Sequence, residues 1–241
     1  MTDYHVHIGQ YGKIYYYADR VFSTLKASGV DEVYFSSTTS CLYCEESVAA
    51  RENPEILKNA PTALALYEGV MEEVQNALKA ALEIGLKAHP LYWVVPDVHF
   101  SSSENVTIQK AMNEVNYDGF KIHPRAQKWD LSDIDTISLA DEIFSYAEKH
   151  KKLIMIHADE DFLPQLFENF IAKYPAVTVQ IAHCRPLDDI LYMLNRYPNV
   201  VADTAMANED VIEKIKTAGF ESRLREASDF PISNMFRRHV L

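Results

Sequence analysis

Short apolar runs alternate along the chain with longer amphipathic ones. Tyr4–Ile8, Glu32–Ser36, Leu86–Val95, Gly119–His123, Leu153–His157, Val177–His183, Val200–Thr204 and Ser222–Ser228 read as strands. Several are apolar almost throughout, the pattern of parallel strands covered on both faces. The helical period marks the stretches between them: Tyr16–Ser28, Ala63–Ile84, Ile108–Val115, Ser138–Lys149, Leu163–Lys173, Leu187–Tyr197 and Glu209–Thr217. Strands each followed by a helix predict an α/β fold, a compact (β/α)8 TIM barrel with a truncated last helix. An open doubly wound sheet is the alternative, but no Gly-rich phosphate fingerprint follows any strand. No solenoid repeat or low-complexity linker interrupts the pattern, so residues 1–241 are expected to form one domain.

Three features depart from that regularity. The loop Ser37–Pro61 is long, as active-site lids often are. It carries Cys41-Leu-Tyr-Cys44, a metal-knuckle spacing with no second pair to complete a zinc site, so an incidental or structural role is expected. The last strand contains Arg223, Arg225 and Glu226, where branched apolar residues dominate in barrels. Either that strand is short or its charges pair inside.

Composition narrows the function. Hydrophobic residues make up 48% of the 241 and charged residues 24%, as in a soluble protein with a substantial core. The net charge of −12 repels phosphate backbones and disfavours nucleic-acid binding. No stretch is apolar enough to span a bilayer, and the start lacks a signal peptide's basic and apolar regions. A cytoplasmic location with reduced thiols is expected, and homo-oligomerisation is left open.

The histidines fall at informative places. His5 and His7 are two apart, so on a strand they share a face. His157 and His183 end strands, and Asp229 follows the last one. Barrel active sites form at the C-terminal strand ends, so these five groups converge on one rim. Neutral imidazoles with a carboxylate suit Zn²⁺, with Mn or Fe as alternatives. Any one histidine alone reads as an ordinary strand cap; the ordered set carries the metal reading. Lys121 and His123 share the inward face of their strand, with Arg125 and Arg185 just beyond strand ends. His123, Arg125 and Arg185 are candidates for binding a small anionic substrate, since arginine forks suit carboxylate or phosphate. Asp203 ends a strand; a helix cap or turn is the favoured reading, with orientation of a ligand histidine the alternative.

Asp-Tyr-His-Val-His-Ile-Gly, Gly-Phe-Lys-Ile-His-Pro and Ser-Asp-Phe-Pro resemble segments of the amidohydrolase superfamily of metal-dependent barrels. The branch they look most like holds aminocarboxymuconate-semialdehyde decarboxylase and its hydrolase relatives. The resemblance implies that His5, His7, His157 and Asp229 hold one ion, one being favoured over two. It makes Asp229, His183 and Lys121 the catalytic candidates: Asp229 as proton acceptor, His183 beside the substrate or on a second ion, and Lys121 as an unmodified ammonium rather than a bridging carbamate. The expected activity is hydrolysis of an amide, ester or lactone. Decarboxylation of an aromatic or unsaturated acid is the alternative, and a non-catalytic metal-binding barrel the third.

Overall fold

The computed structural model describes residues 1–43, 62–100, 106–161 and 164–237. Its strands are β1 (Thr2–Tyr11), β2 (Ile14–Tyr16), β3 (Glu32–Ser37), β4 (Lys87–Trp93), β5 (Gly119–Ile122), β6 (Leu153–Ile156), β7 (Val179–Ile181), β8 (Val200–Asp203) and β9 (Leu224–Arg225). Between them run helices α1 (Ala18–Ala27), α2 (Ala63–Glu83), α3 (Pro96–Phe100), α4 (Ile108–Val115), α5 (Ile134–His150), α6 (Glu168–Lys173), α7 (Leu187–Arg196) and α8 (Glu209–Thr217), and α9 (Ile232–Arg237) follows β9. The sheet has nine strands in the order β2-β1-β3-β4-β5-β6-β7-β8-β9. Only β2 is antiparallel, folded back on β1 through a turn in which Gly12 takes a positive φ of 58°.

Each parallel strand packs against the next in sequence, and the sheet curls. The segment after β9 comes back to β1: Tyr4 N–H donates to Glu226 O (3.0 Å), Asp229 N–H to His5 O (2.9 Å) and His7 N–H to Phe230 O (2.8 Å). Val6 and Phe230 form a parallel bridge. These bonds fix Asp229 beside both histidines of β1.

Alternation divides the side chains. Val6, Ile8, Val33, Phe35, Phe120, Ile122, Ile154, Ile156, Val179 and Ile181 face the helices and join one buried core with Phe22, Phe144 and Leu194. The other face holds Leu91, Leu153 and Met155, packed against Tyr34, and above them the polar residues. A bulge between Asp3 and Val6 interrupts the pairing of β1 with β3. It turns Tyr4 and His5 to the same side: Tyr4 stacks on Tyr34 (5.0 Å between centroids) while His5 meets Lys121.

The expected strands are present; β1 and β3 run longer than expected and the other six are shorter. The last is the most reduced, two residues instead of seven. Its charges are satisfied individually: Arg223 donates to Tyr197 O (2.8 Å), and Arg225 to Gln180 Oε1 (2.9 Å) while lying 4.6 Å over the Tyr4 ring. The hairpin strand β2 and the short α3 were not expected. No helix among the described residues is long and apolar enough to cross a membrane. Cys44 and most of the Ser37–Pro61 loop lie outside the described residues.

Candidate metal centre

The C-terminal strand ends deliver a ring of buried polar groups. β1 supplies His5 and His7, β5 supplies Lys121 with His123 just beyond, and His157 follows β6. His183 follows β7, Asp203 ends β8, and Asp229 lies past β9. All of them except His5 and Asp203 line a cavity of about 370 Å³, whose wall also includes Tyr11, Cys41, Trp93, Arg125, Asp159, Arg185, Met206 and Ile232. Ligand atoms of His5, His183 and Asp229 all lie within 4.8 Å of one another. His7 Nε2 is 3.1 Å from Asp229 Oδ1.

Proton bookkeeping tests whether this donor set fits a cation. Asp203 is completely buried, and its four acceptor sites are filled. Oδ2 accepts from His5 Nδ1 (3.1 Å) and Gln180 Nε2 (2.8 Å); Oδ1 accepts from the backbone N–H of His183 (3.0 Å) and Ala205 (3.1 Å). His5 Nδ1 therefore carries the proton, and the Nε2 lone pair faces Lys121 Nζ at 3.0 Å. His183 Nδ1 donates to Ala205 O (3.1 Å), which leaves its Nε2 bare as well. That Nε2 faces His157 Nδ1 at 3.1 Å, and His157 Nε2 faces Asp159 Oδ2 at 3.3 Å. A neutral His157 has one proton for two acceptors, so one of these half-buried contacts lacks a hydrogen. Neutral imidazole nitrogens gathered with a carboxylate are a donor set that fits a divalent cation.

Charge states agree with that picture. Burial holds His5, His123 and His157 well below the ordinary imidazole pKa, with the Lys121 charge adding to the effect, and burial lowers His183 too. Neutral imidazole is the ligating form. Burial works against ionisation of Asp229, but the His7 hydrogen bond and the nearby imidazoles outweigh it and keep the carboxyl below its usual range. Burial lowers Lys121 to about 8, against the pull of Asp229 and Asp203. Its Nζ sits 3.0 Å from His5 Nε2 and 5.7 Å from the Trp93 ring centroid.

Backbone conformation contributes to the ring. His183, Met206 and Asp229 take positive φ values of 72°, 60° and 54°. Non-glycine residues there carry strain of about 1–3 kcal/mol each and persist where surroundings over-determine them. At His183 the Asp203 carboxylate holds the backbone N–H; at Asp229 the His5 carbonyl does.

The structure places every sequence candidate except His5 in the cavity wall, and His5 Nε2 lies 3.6 Å from Asp229 Oδ1. His123 lies flat on His157 (3.8 Å between centroids, 13°) and on Trp93 (5.5 Å, 18°), forming a stacked wall. Arg125 is paired with Asp159 (3.2 Å) and with Asp161. Arg185 has a buried Nε without a hydrogen-bond partner. His157 is outside the compact set, which His183 joins instead. Three contributors went unnoticed. Trp93 looks like any core aromatic in sequence, and Asp159 and Ser36, whose Oγ is 3.2 Å from His7 Nδ1, follow no motif. For Asp203 the available signal is its place at the end of a strand adjoining the one that leads to His183. His99 bonds Tyr92 and Val106 O rather than reaching the cavity.

Comparison with known proteins places this arrangement. None of the curated proteins searched matches the chain. The amidohydrolase from Bifidobacterium longum subsp. infantis ("Amidohydrolase 2") is similar in structure, with a TM-score of 0.53 at 13% identity over 97% of this chain and 85% of that one. The phosphotriesterase homology protein from Escherichia coli, solved with phosphate in its active site, gives 0.57 at 12% identity over 95% and 81%. A 2,6-dihydroxybenzoate decarboxylase, solved with 2,6-dihydroxybenzoate, gives 0.54 at 12% identity over 87% and 76%. At these identities the likeness concerns the fold. The family model described as amidohydrolase matches residues 63–239, a stretch that includes Lys121, His123, His157, His183 and Asp229. That match covers well over half of the chain, and the protein belongs to the amidohydrolase family.

Proposed function

We propose that the protein is a metal-dependent hydrolase that cleaves an amide, ester or lactone bond of a small anionic molecule. We read the curled sheet as a closed (β/α)8 barrel and the chain as one domain. The observation that carries the reading is the buried set of His5, His183 and Asp229, whose ligand atoms all lie within 4.8 Å of one another. His5, His7, His157 and Asp229 would hold one divalent ion, most favourably zinc. When bound, such an ion supplies Lewis acidity, polarising a carbonyl and bringing the pKa of water down toward ~7.

The chain's own residues do the rest. Asp229, kept ionised beside His7, accepts the proton of the attacking water at Oδ1. His183 faces the substrate with Nε2, which can accept a hydrogen bond from it because Nδ1 already donates to Ala205 O. Lys121 adds positive charge at the floor of the cavity, as an unmodified amine. The flat wall of Trp93 and His123 orients a planar substrate, and the unpartnered Nε of Arg185 awaits an acceptor. Arg125, already held by Asp159, shapes the rim.

Two observations favour a second reading. Arg185 beside a stacked aromatic wall also suits non-oxidative decarboxylation of an aromatic or unsaturated acid, and a dihydroxybenzoate decarboxylase shares the fold. Separately, the compact set favours exchanging the roles of His157 and His183. Zinc-loaded protein assayed on a panel of esters, lactones, amides and hydroxybenzoates separates the reactions. Turnover of the first three groups supports the hydrolase, and CO₂ release from the last supports the lyase. Bound zinc without turnover on any, unchanged by Asp229→Asn, would reject both in favour of a binding protein. Metal content of His157→Ala against His183→Ala identifies the ligand: the variant that loses zinc held it.

A further inference from the structure

The charged residues of the last strand have a use beyond their own satisfaction. Arg225 donates through Nη1 to Gln180 Oε1 (2.9 Å). Gln180, completely buried, donates through Nε2 to Asp203 Oδ2 (2.8 Å) and to Tyr4 O (3.2 Å). Asp203, also completely buried, accepts from His5 Nδ1. A continuous chain of hydrogen bonds thus crosses the interior from β9 through β7 and β8 to β1, and it ends on the histidine whose other nitrogen lies 3.6 Å from Asp229 Oδ1.

Each link has one workable orientation. The guanidinium has only donors, so the Gln180 carbonyl must face it and the amide nitrogen must face Asp203. The carboxylate accepts only, so the His5 proton must sit on Nδ1. The chain places a positive end against a fully enclosed negative charge, which a dry interior otherwise penalises heavily. Aligned bonds in such a chain also reinforce one another. The Tyr4 ring under the guanidinium, stacked in turn on Tyr34, fixes the far end.

We propose that Arg225 is a positioning residue that acts through Gln180 and Asp203 to hold His5 with its Nε2 lone pair facing the metal site. The inference rests on the reading of His5 as a metal ligand. It explains why an arginine occupies a strand position that barrels usually give to an apolar residue. Groups that orient ligating histidines typically change metal affinity about 10–100-fold when removed. A residue acting through two others belongs at the lower end.

The test is zinc binding to the metal-free full-length chain, measured by competition with a chromophoric chelator. Arg225→Met keeps the stem over Tyr4 without donors, and its zinc Kd should rise about tenfold. Gln180→Met should weaken binding by at least as much, and the double variant should be no worse than Gln180→Met alone. In the metal-free protein, the His5 Nδ1–H resonance should move in both single variants, a change that loosened packing elsewhere would not cause. Arg225→Lys, which keeps a charge and a donor, should recover most of the affinity. A Kd for Arg225→Met within about twofold of wild type, or losses that multiply in the double variant, would overturn the proposal. Should Arg225→Met not fold, Gln180→Met decides alone, with an unchanged Kd counting against the chain. Wild-type protein that binds no zinc would instead reject the metal reading, while the His5 resonance would still report on the chain.

Discussion

Asp203 accepts four hydrogen bonds, and that saturation decides which nitrogen of His5 is free. Chemistry at this site is set residue by residue, by where each proton can go. Asp229 is the most exposed to test, since it is kept ionised beside His7 and lies within the compact donor set. Asp229→Asn retains the shape and removes the charge and the proton acceptor. Its kcat on the substrate found should fall by about 10²-fold or more, while its circular dichroism stays that of wild type. A kcat within threefold of wild type would remove Asp229 from the mechanism. Much of this scale was legible in the sequence. His5 and His7 share a face because side chains alternate along a strand; His183 ends an expected strand read from an apolar run, and Asp229 follows the charged last one. Asp159 and Trp93 were illegible as site residues, and Asp203 legible only as an alternative to a cap, because their roles depend on which strands adjoin, which one-dimensional spacing does not encode.

At the scale of elements, the positions of strands were readable and their lengths were not. β7 is three residues long and β9 two, because the chain leaves the sheet to aim His183 and Asp229 at the cavity. Charges at Arg223 and Arg225 signalled the reduction of β9. The bulge in β1 and the hairpin strand β2 left no comparable mark. Packing between strands offers its own test at β5. A Cβ added to Gly119 would lie 2.4 Å from Leu153 O and 2.9 Å from Leu91 Cδ2, and the first of these is backbone that cannot rotate away. Gly119→Ala should therefore destabilise the protein by about 1–3 kcal/mol, read as a lower urea midpoint. It should also disturb activity, because Lys121 lies two residues along the same strand. An unchanged midpoint would mean that β5 and β6 are spaced more widely than described.

The whole molecule buries several histidines in neutral form, and its stability should respond to pH accordingly. His99 is the clearest, lowered by burial from 6.5 to about 4 and tied to Tyr92 and Val106 O, away from the metal centre. A histidine depressed in the folded state leaves the unfolded chain binding more protons. Its contribution is present above pH 6.5 and is lost as pH falls toward about 4. Each such histidine adds a slope of up to ~1.4 kcal/mol per pH unit in that window. Urea unfolding of the metal-free protein should show stability falling steadily on acidification below 6.5, with a shallower fall in His99→Gln. Equal slopes in the two proteins would show that His99 is not held neutral.

The mixed α/β class followed from alternating strands and helices, and the proposed metal chemistry rests on histidines at strand ends. Whether His157 or His183 is the ligand, and which reaction follows, depends on differences of an ångström or two within one cavity. The measurement that bears most directly on the account is metal content per chain, by elemental analysis of protein purified without chelator, for wild type and His5→Ala/His7→Ala. The account predicts about one zinc per wild-type chain, consistent with a site built for one ion, and none in the variant. No metal in wild type, even after reloading with zinc, manganese or iron, or undiminished metal in the variant, would contradict it.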